Sequence, residues 1–361
     1  MYFNIFPAYF KPAFACVLLF LLTNIFCFAQ ETEASKIAST AQQYMEKGDY
    51  KEAAKYYLKA HKQAPKNDEH RYQLALAYYR QSKFSDAIEH LQSIIQQPAE
   101  KLEYYRLLAN AYDLKGDYNQ SVNILQKALK QYPTEAELYF DWGVIELLRK
   151  KPQVALEKWE KGIKVDPNHA DNYYWAAKVY ATSNEPLWTL LYGELFMNIE
   201  RNGGDRFNEM AKLVLDTYSS LINDSLNTPE LLLKRVKKNP FEKGHYELQG
   251  VLKRNKPQST ARFNQIESAI KYRQRFLELW QQGFSSTYPT PLYTYHEELV
   301  TSGHFEAYNY WLFNQANIRD YNIWIQTLEG RKGFQNFMSW YLTHPIRIHT
   351  QSYLVRNTYL E

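Results

Sequence analysis

The residues most able to do chemistry in this chain are its histidines and carboxylates. Both cysteines, Cys16 and Cys27, lie inside one apolar stretch near the amino terminus. The rest of the chain therefore has no thiol nucleophile, thiolate zinc ligand or disulfide. Among the nine histidines, none shows the four-residue helical spacing that aims two rings at one ion. His296-Glu297-Glu298 lacks the second histidine, His296 and His304 stand eight residues apart across an expected turn, and His344 and His349 flank Pro345. All four read as surface or partly packed residues. Neither a Gly-x-Ser-x-Gly elbow nor a glycine-rich phosphate loop occurs, and Arg201-Asn202-Gly203-Gly204-Asp205 reads as a plain loop. Glu135 with Glu137, and Glu297 with Glu298, read as solvated carboxylates. The expectation is a protein that binds, with no enzymatic activity, cofactor or metal.

The elements that position these residues are helical. Thirteen glycines and fourteen prolines in 361 residues are too few for a turn-rich β fold. Thirty-one tyrosines and eight tryptophans must either pack between helices or be displayed to a ligand. A net charge of +4, spread evenly, does not suggest nucleic acid.

Gly48-Asp49-Tyr50 returns 68 residues later, twice 34, as Gly116-Asp117-Tyr118, and Pro65, Pro133 and Pro167 keep the same phase. Blocks 34–67, 68–101, 102–135 and 136–169 then align, with 170–203 as a weaker fifth. Small residues recur where helices must approach: Ala41, Ala75, Ala109, Gly143 and Ala177 in the first helix, and Ala53, Ala87, Ser121 and Ala155 in the second. Tyr44, Tyr78 and Tyr112, with Tyr57, Leu91, Leu125 and Trp159, form apolar stripes at helical spacing. The glycines suit a sharp turn at positive φ, and the prolines stop the second helix.

On these residues the chain resembles the tetratricopeptide-repeat family. The resemblance implies an all-α fold, a right-handed α-α superhelix of helix hairpins, over residues 30–203. Residues 204–361 then form an aromatic, helical carboxy-terminal region, either degenerate repeats or a separate domain capping the stack. Helices are expected at Phe207–Ile222, Pro229–Lys237 and Ala261–Gln282, followed by three more, with Pro240 and Pro257 as punctuation. Pro289–Ala316 can be laid on the repeat, with Gly303 at the turn.

The resemblance also implies a concave groove lined by first helices. Its positions are Glu69, Tyr72, Tyr79 and Arg80 in repeat two, and Arg106, Asn110 and Asp113 in repeat three. Repeat four adds Phe140, Val144 and Leu147, and repeat five Tyr174 and Lys178. Such a groove would take a peptide or protein partner; the alternative for Tyr79 and Phe140 is packing against the next helix. A rival reading is glycan binding on Trp280, Trp311, Trp324 or Trp340 exposed in one patch, and a third is an envelope enzyme that docks through its repeats.

Lys11, the apolar run 13–28 and Ala29 predict a signal peptide over residues 1–29, cleaved after Ala29, and hence a periplasmic or secreted bacterial protein. An uncleaved membrane anchor is the alternative.

Overall fold

The computed structural model describes residues 33–96, 101–183, 185–223, 239–254, 264–349 and 355–356. The expected signal peptide and the helix expected over Pro229–Lys237 lie outside them. Among the described residues there are 17 helices and no strand. No described helix is long and apolar enough to cross a membrane. The backbone divides into two compact units, Met1–Pro133 and Thr134–Glu361.

The first unit holds α1 (33–46), α2 (Tyr50–Gln63), α3 (Asp68–Arg80), α4 (Phe84–Ile94), α5 (Leu102–Leu114) and α6 (Tyr118–Gln131). From α2 onward each helix packs on the next, and α3 also touches α5. The small residues read from the sequence lie at the closest approaches: Ala41, Ala53, Ala75, Ala87, Ala109 and Ser121 are all wholly buried. Ser121 donates its hydroxyl to the carbonyl of Ala109 at 2.7 Å, so the one polar member of that set is satisfied. Asp49, Asn67 and Asp117 cap α2, α3 and α6 by accepting from the amides of Glu52, His70 and Gln120. Pro65 and Pro133 follow the ends of α2 and α6 as expected.

The tight turn inside each hairpin has a fixed backbone shape. Gly48 and Gly116 have φ of +76° and +84°. At the same phase, Ser82 and Lys150 take φ of +60° and +59° without being glycine. The repeat therefore dictates the left-handed turn whatever side chain stands there.

The second unit comprises α7 (Ala136–Leu148), α8 (Pro152–Val165), α9 (Ala170–Thr182), α10 (Pro186–Glu200), α11 (Asp205–Ile222), α12 (Pro240–Arg254), α13 (Gln265–Gly283), α14 (Pro291–Thr301), α15 (Phe305–Leu312), α16 (Ile318–Ile325) and α17 (Leu328–Thr343). The hairpins α7–α8 and α9–α10 continue the consecutive packing of the repeats. Helix α10 is buried on every side from Pro186 to Asn198, as a helix apolar all round must be. Helix α13 then serves as a hub that touches α11, α12, α14, α15 and α16.

Two expectations change here. A helix that was not expected, Pro240–Arg254, begins at Pro240, which stands between helices as expected; a proline at the first helical position loses no backbone hydrogen bond, and Pro152, Pro186 and Pro291 do the same. Among the described residues four helices follow Thr290, not three. The hairpin at Pro289–Ala316 is present: Gly303 takes φ of +74° between α14 and α15, and Leu292, Leu299 and Leu312 are wholly buried.

Candidate functional site

In the first unit the face offered by first helices includes α3 and α5, which touch each other. Tyr72 lies against the ring of Tyr104 with centroids 4.9 Å apart. Glu69 accepts from Lys101 at 2.6 Å and from the Tyr104 hydroxyl at 3.3 Å. Burial works to raise the Glu69 carboxyl, but those donors and Gln73 hold it below its ordinary value. Tyr79 packs edge-on against Phe84 of the following helix, and burial raises its hydroxyl, as it does that of Tyr72. Arg80 is exposed, while Arg106, Asn110 and Asp113 are half-buried. The charge of Arg106 is felt at Tyr72, and that of Asp113 at Tyr79. This face therefore mixes aromatic surface with both signs of charge.

In the second unit Phe140, Val144 and Leu147 are partly buried on α7, and Phe140 sits 5.8 Å from the His169 ring. Tyr174 and Lys178 are both engaged by α11. The Tyr174 hydroxyl donates to Glu209, Lys178 pairs with Glu209 at 2.7 Å, and the Arg206 guanidinium lies 4.5 Å over the Tyr174 ring. The Glu209 contact raises the Lys178 ammonium, and the Lys178 and Tyr174 contacts lower the Glu209 carboxyl.

The polar feature that sequence reasoning did not find lies deep in the second unit. Glu194 of α10 accepts from Arg273 of α13, from His296 of α14 at 2.7 Å and from Tyr308 of α15 at 2.8 Å. Arg273 also donates to Asn309, and Asn198 donates to Tyr308 at 2.7 Å. Burial alone would raise the Glu194 carboxyl; the Arg273 charge and the His296 contact instead bring it down to about 2. Burial lowers His296. The expectation of a surface or partly packed His296 is thus corrected, since a ring of this size covered by Phe305 and Tyr308 becomes part of the core.

A second buried knot joins Glu160 to the hydroxyls of Tyr180 and Tyr192 at 2.9 and 3.0 Å. Burial raises the Glu160 carboxyl. Arg356 donates its backbone amide to Tyr192 and pairs its guanidinium with Glu185 and Glu242, each at 2.7 Å. These partners are scattered through the sequence, so local spacing carries no signal for either cluster.

Ser268 and Lys271 stand in Ser-x-x-Lys spacing, but the Ser268 hydroxyl turns back to the carbonyl of Asn264 and the exposed Lys271 amine pairs with Glu267. No group of three or more potential ligands that could hold a metal ion occurs among the described residues. Of the four tryptophans that would present a sugar patch, Trp280 and Trp324 are buried, whereas Trp311, packed on Tyr341 at 4.7 Å, and Trp340, stacked on His344 at 4.5 Å, are half-buried.

Comparison with known proteins agrees with the repeat. Residues 44–111 match a tetratricopeptide-repeat family model, and residues 104–134 match a second model of the same repeat. No curated protein matches the chain. Among solved structures, PilF of Pseudomonas aeruginosa is similar at 16% identity over 68% of this chain and 99% of that one, with a TM-score of 0.46. The protein MamA is 23% identical over 45% of this chain and 94% of its own, with a TM-score of 0.40. A tetratricopeptide-repeat protein of Thermus thermophilus is 18% identical over 50% of this chain and 99% of its own, with a TM-score of 0.41.

Proposed function

We propose that the chain is a non-enzymatic interaction scaffold of the bacterial cell envelope that holds a peptide or protein partner on the first-helix face of its repeats. The observation that carries this reading is the pairing of α3 with α5. On these two helices Arg80 is exposed, and Tyr72, Tyr79 and Asn110 are partly exposed, with Tyr72 resting on the buried ring of Tyr104. Partly exposed rings with a few charges suit an extended segment, which gains contact area from the rings and register from the ion pairs. In the second unit, Phe140, Val144 and Leu147 are the corresponding candidates. Export rests on the reading of residues 1–29.

Affinity capture with the full chain from an envelope extract tests the proposal, comparing wild type with Tyr79→Ala/Arg80→Ala and with Lys55→Ala on α2. One protein retained by wild type and Lys55→Ala but lost by the α3 variant is the expected result. Equal retention by all three overturns it. The mass of the chain recovered from the envelope fraction should begin at Gln30; a chain carrying residues 1–29 would point to the uncleaved anchor.

A further inference from the structure

The second unit holds a small cavity, about 30 Å3, between α10, α11, α12, α13 and α14. Much of its wall is leucine, from Leu187, Leu190, Leu191, Leu277 and Leu292. His245, Gln249 and Arg273 also line it, and each is more than nine-tenths buried. Each contributes one buried polar atom without a hydrogen-bond partner among the described residues: His245 Nδ1, Gln249 Oε1 and Arg273 Nε. Three residues that line one cavity thus each carry such an atom, and each costs free energy wherever nothing meets it.

The types of these atoms define the guest. The Tyr293 hydroxyl stands 2.5 Å from His245 Nε2. Burial keeps the imidazole neutral, lowering it to about 3. Where the phenol donates to Nε2 the ring proton sits on Nδ1, which donates; where Nε2 donates to the phenol, Nδ1 accepts. Arg273 Nε–H is a donor at any pH, and Gln249 Oε1 is an acceptor. The Arg273 charge is already met by Glu194, so the cavity does not call for an anion. What fits is a small, uncharged group that both donates and accepts.

We propose that this cavity is an internal hydration site holding one or two water molecules that bridge His245 and Gln249 of α12 to Arg273 of α13. A volume of about 30 Å3 suffices, since one buried water needs roughly 10–15 Å3 of free volume and two to four polar partners. His245 and Gln249 lie one turn apart on α12, so a bridge to α13 fastens that helix to the hub.

A high-resolution crystal structure of the full chain, determined with and without xenon pressure, tests the site. Ordered solvent within hydrogen-bond distance of the three atoms, undisplaced by xenon, is expected. Xenon density in the cavity would mark it as dry and overturn the proposal. A second measurement needs no crystal. Gln249→Met keeps the side chain's length and removes the acceptor. If water is bound, thermal unfolding should move down by about 2–4 °C. If the cavity is dry, the substitution deletes an unsatisfied buried oxygen, and an unchanged or raised midpoint overturns the proposal.

Discussion

Arg273 and Glu194 stand 79 residues apart in sequence and pair where solvent is almost wholly excluded, with side chains 3% and 1% exposed. Two charges so placed are costly to bury, and the structure offsets this with Asn309, His296 and Tyr308 around them. Removing one partner strands the other. Glu194→Gln should therefore lower stability by about 3–5 kcal/mol, whereas Glu194→Leu with Arg273→Met should cost less than the sum of the two single changes. Urea unfolding read by tryptophan emission isolates the effect, because all eight tryptophans lie between residues 142 and 340, within the second unit. Strict additivity would show that the two charges do not interact.

The same region sets the response to acid. His245 is held neutral in the fold, with its pKa lowered from 6.5 to about 3 by burial. The unfolded chain takes up a proton first, so this contribution is complete above about pH 6.5 and declines as pH falls toward 3. Glu194, lowered from 4.5 to about 2, contributes fully above 4.5 and loses its share only as pH falls below that value. Stability of the second unit should thus fall in two stages, the first belonging to the histidines. His245→Phe should be less stable at neutral pH, since the Tyr293 hydroxyl loses its partner, yet show a flatter decline between about pH 6.5 and 4.5. Urea midpoints measured across that range decide it; parallel curves for the two proteins would remove His245 from the account.

Much of the repeat was legible because its signals are local. Gly48 and Gly116 mark the turns, Ala53 and Ala87 mark the approaches, and Pro65 and Pro133 mark the stops, each readable within a few residues of the feature it causes. The buried clusters were not legible for the opposite reason. His296-Glu297-Glu298 has the composition of a solvated turn of helix, and only Glu194, 102 residues away, and Arg273 make His296 an interior residue. Arg356 likewise depends on Glu185 and Glu242, and no periodicity links them. The candidate face of α3 and α5 was placed by repeat position alone, and which of its residues stay accessible is decided by packing, as Tyr79 against Phe84 illustrates.

Gly143 and Trp159 are a matched pair across the α7–α8 hairpin. A Cβ on Gly143 would lie 2.2 Å from the indole Nε1, which donates to the Phe140 carbonyl at 3.2 Å. Gly143→Ala therefore cannot be absorbed by a flexible side-chain end, and should destabilise the second unit by about 1–3 kcal/mol despite the gain in helix propensity. Adding Trp159→Leu makes room, so the double variant should lose less than the two separate losses combined. A single substitution that proves neutral would mean that the hairpin can open at no cost.

Ser82 and Lys150 occupy the left-handed turn that Gly48 and Gly116 fill in the neighbouring repeats. A side chain with a Cβ pays roughly 1–2 kcal/mol in that conformation, and glycine does not. Ser82→Gly and Lys150→Gly should each stabilise, by somewhat less than this because glycine also gains freedom in the unfolded chain. Gly48→Ala and Gly116→Ala should each destabilise by a similar amount, and they isolate the backbone term, since nothing lies within 4 Å of a Cβ built at either position. Lys150→Gly can be followed by tryptophan emission. Changes at residues 48, 82 and 116 need far-ultraviolet circular dichroism, because the first unit has no tryptophan. Opposite signs for the two kinds of substitution are the expected outcome. The same sign for both would mean that the side chains at these turns make contacts worth more than the backbone strain, and the repeat would then be selecting residues by contact and not by φ.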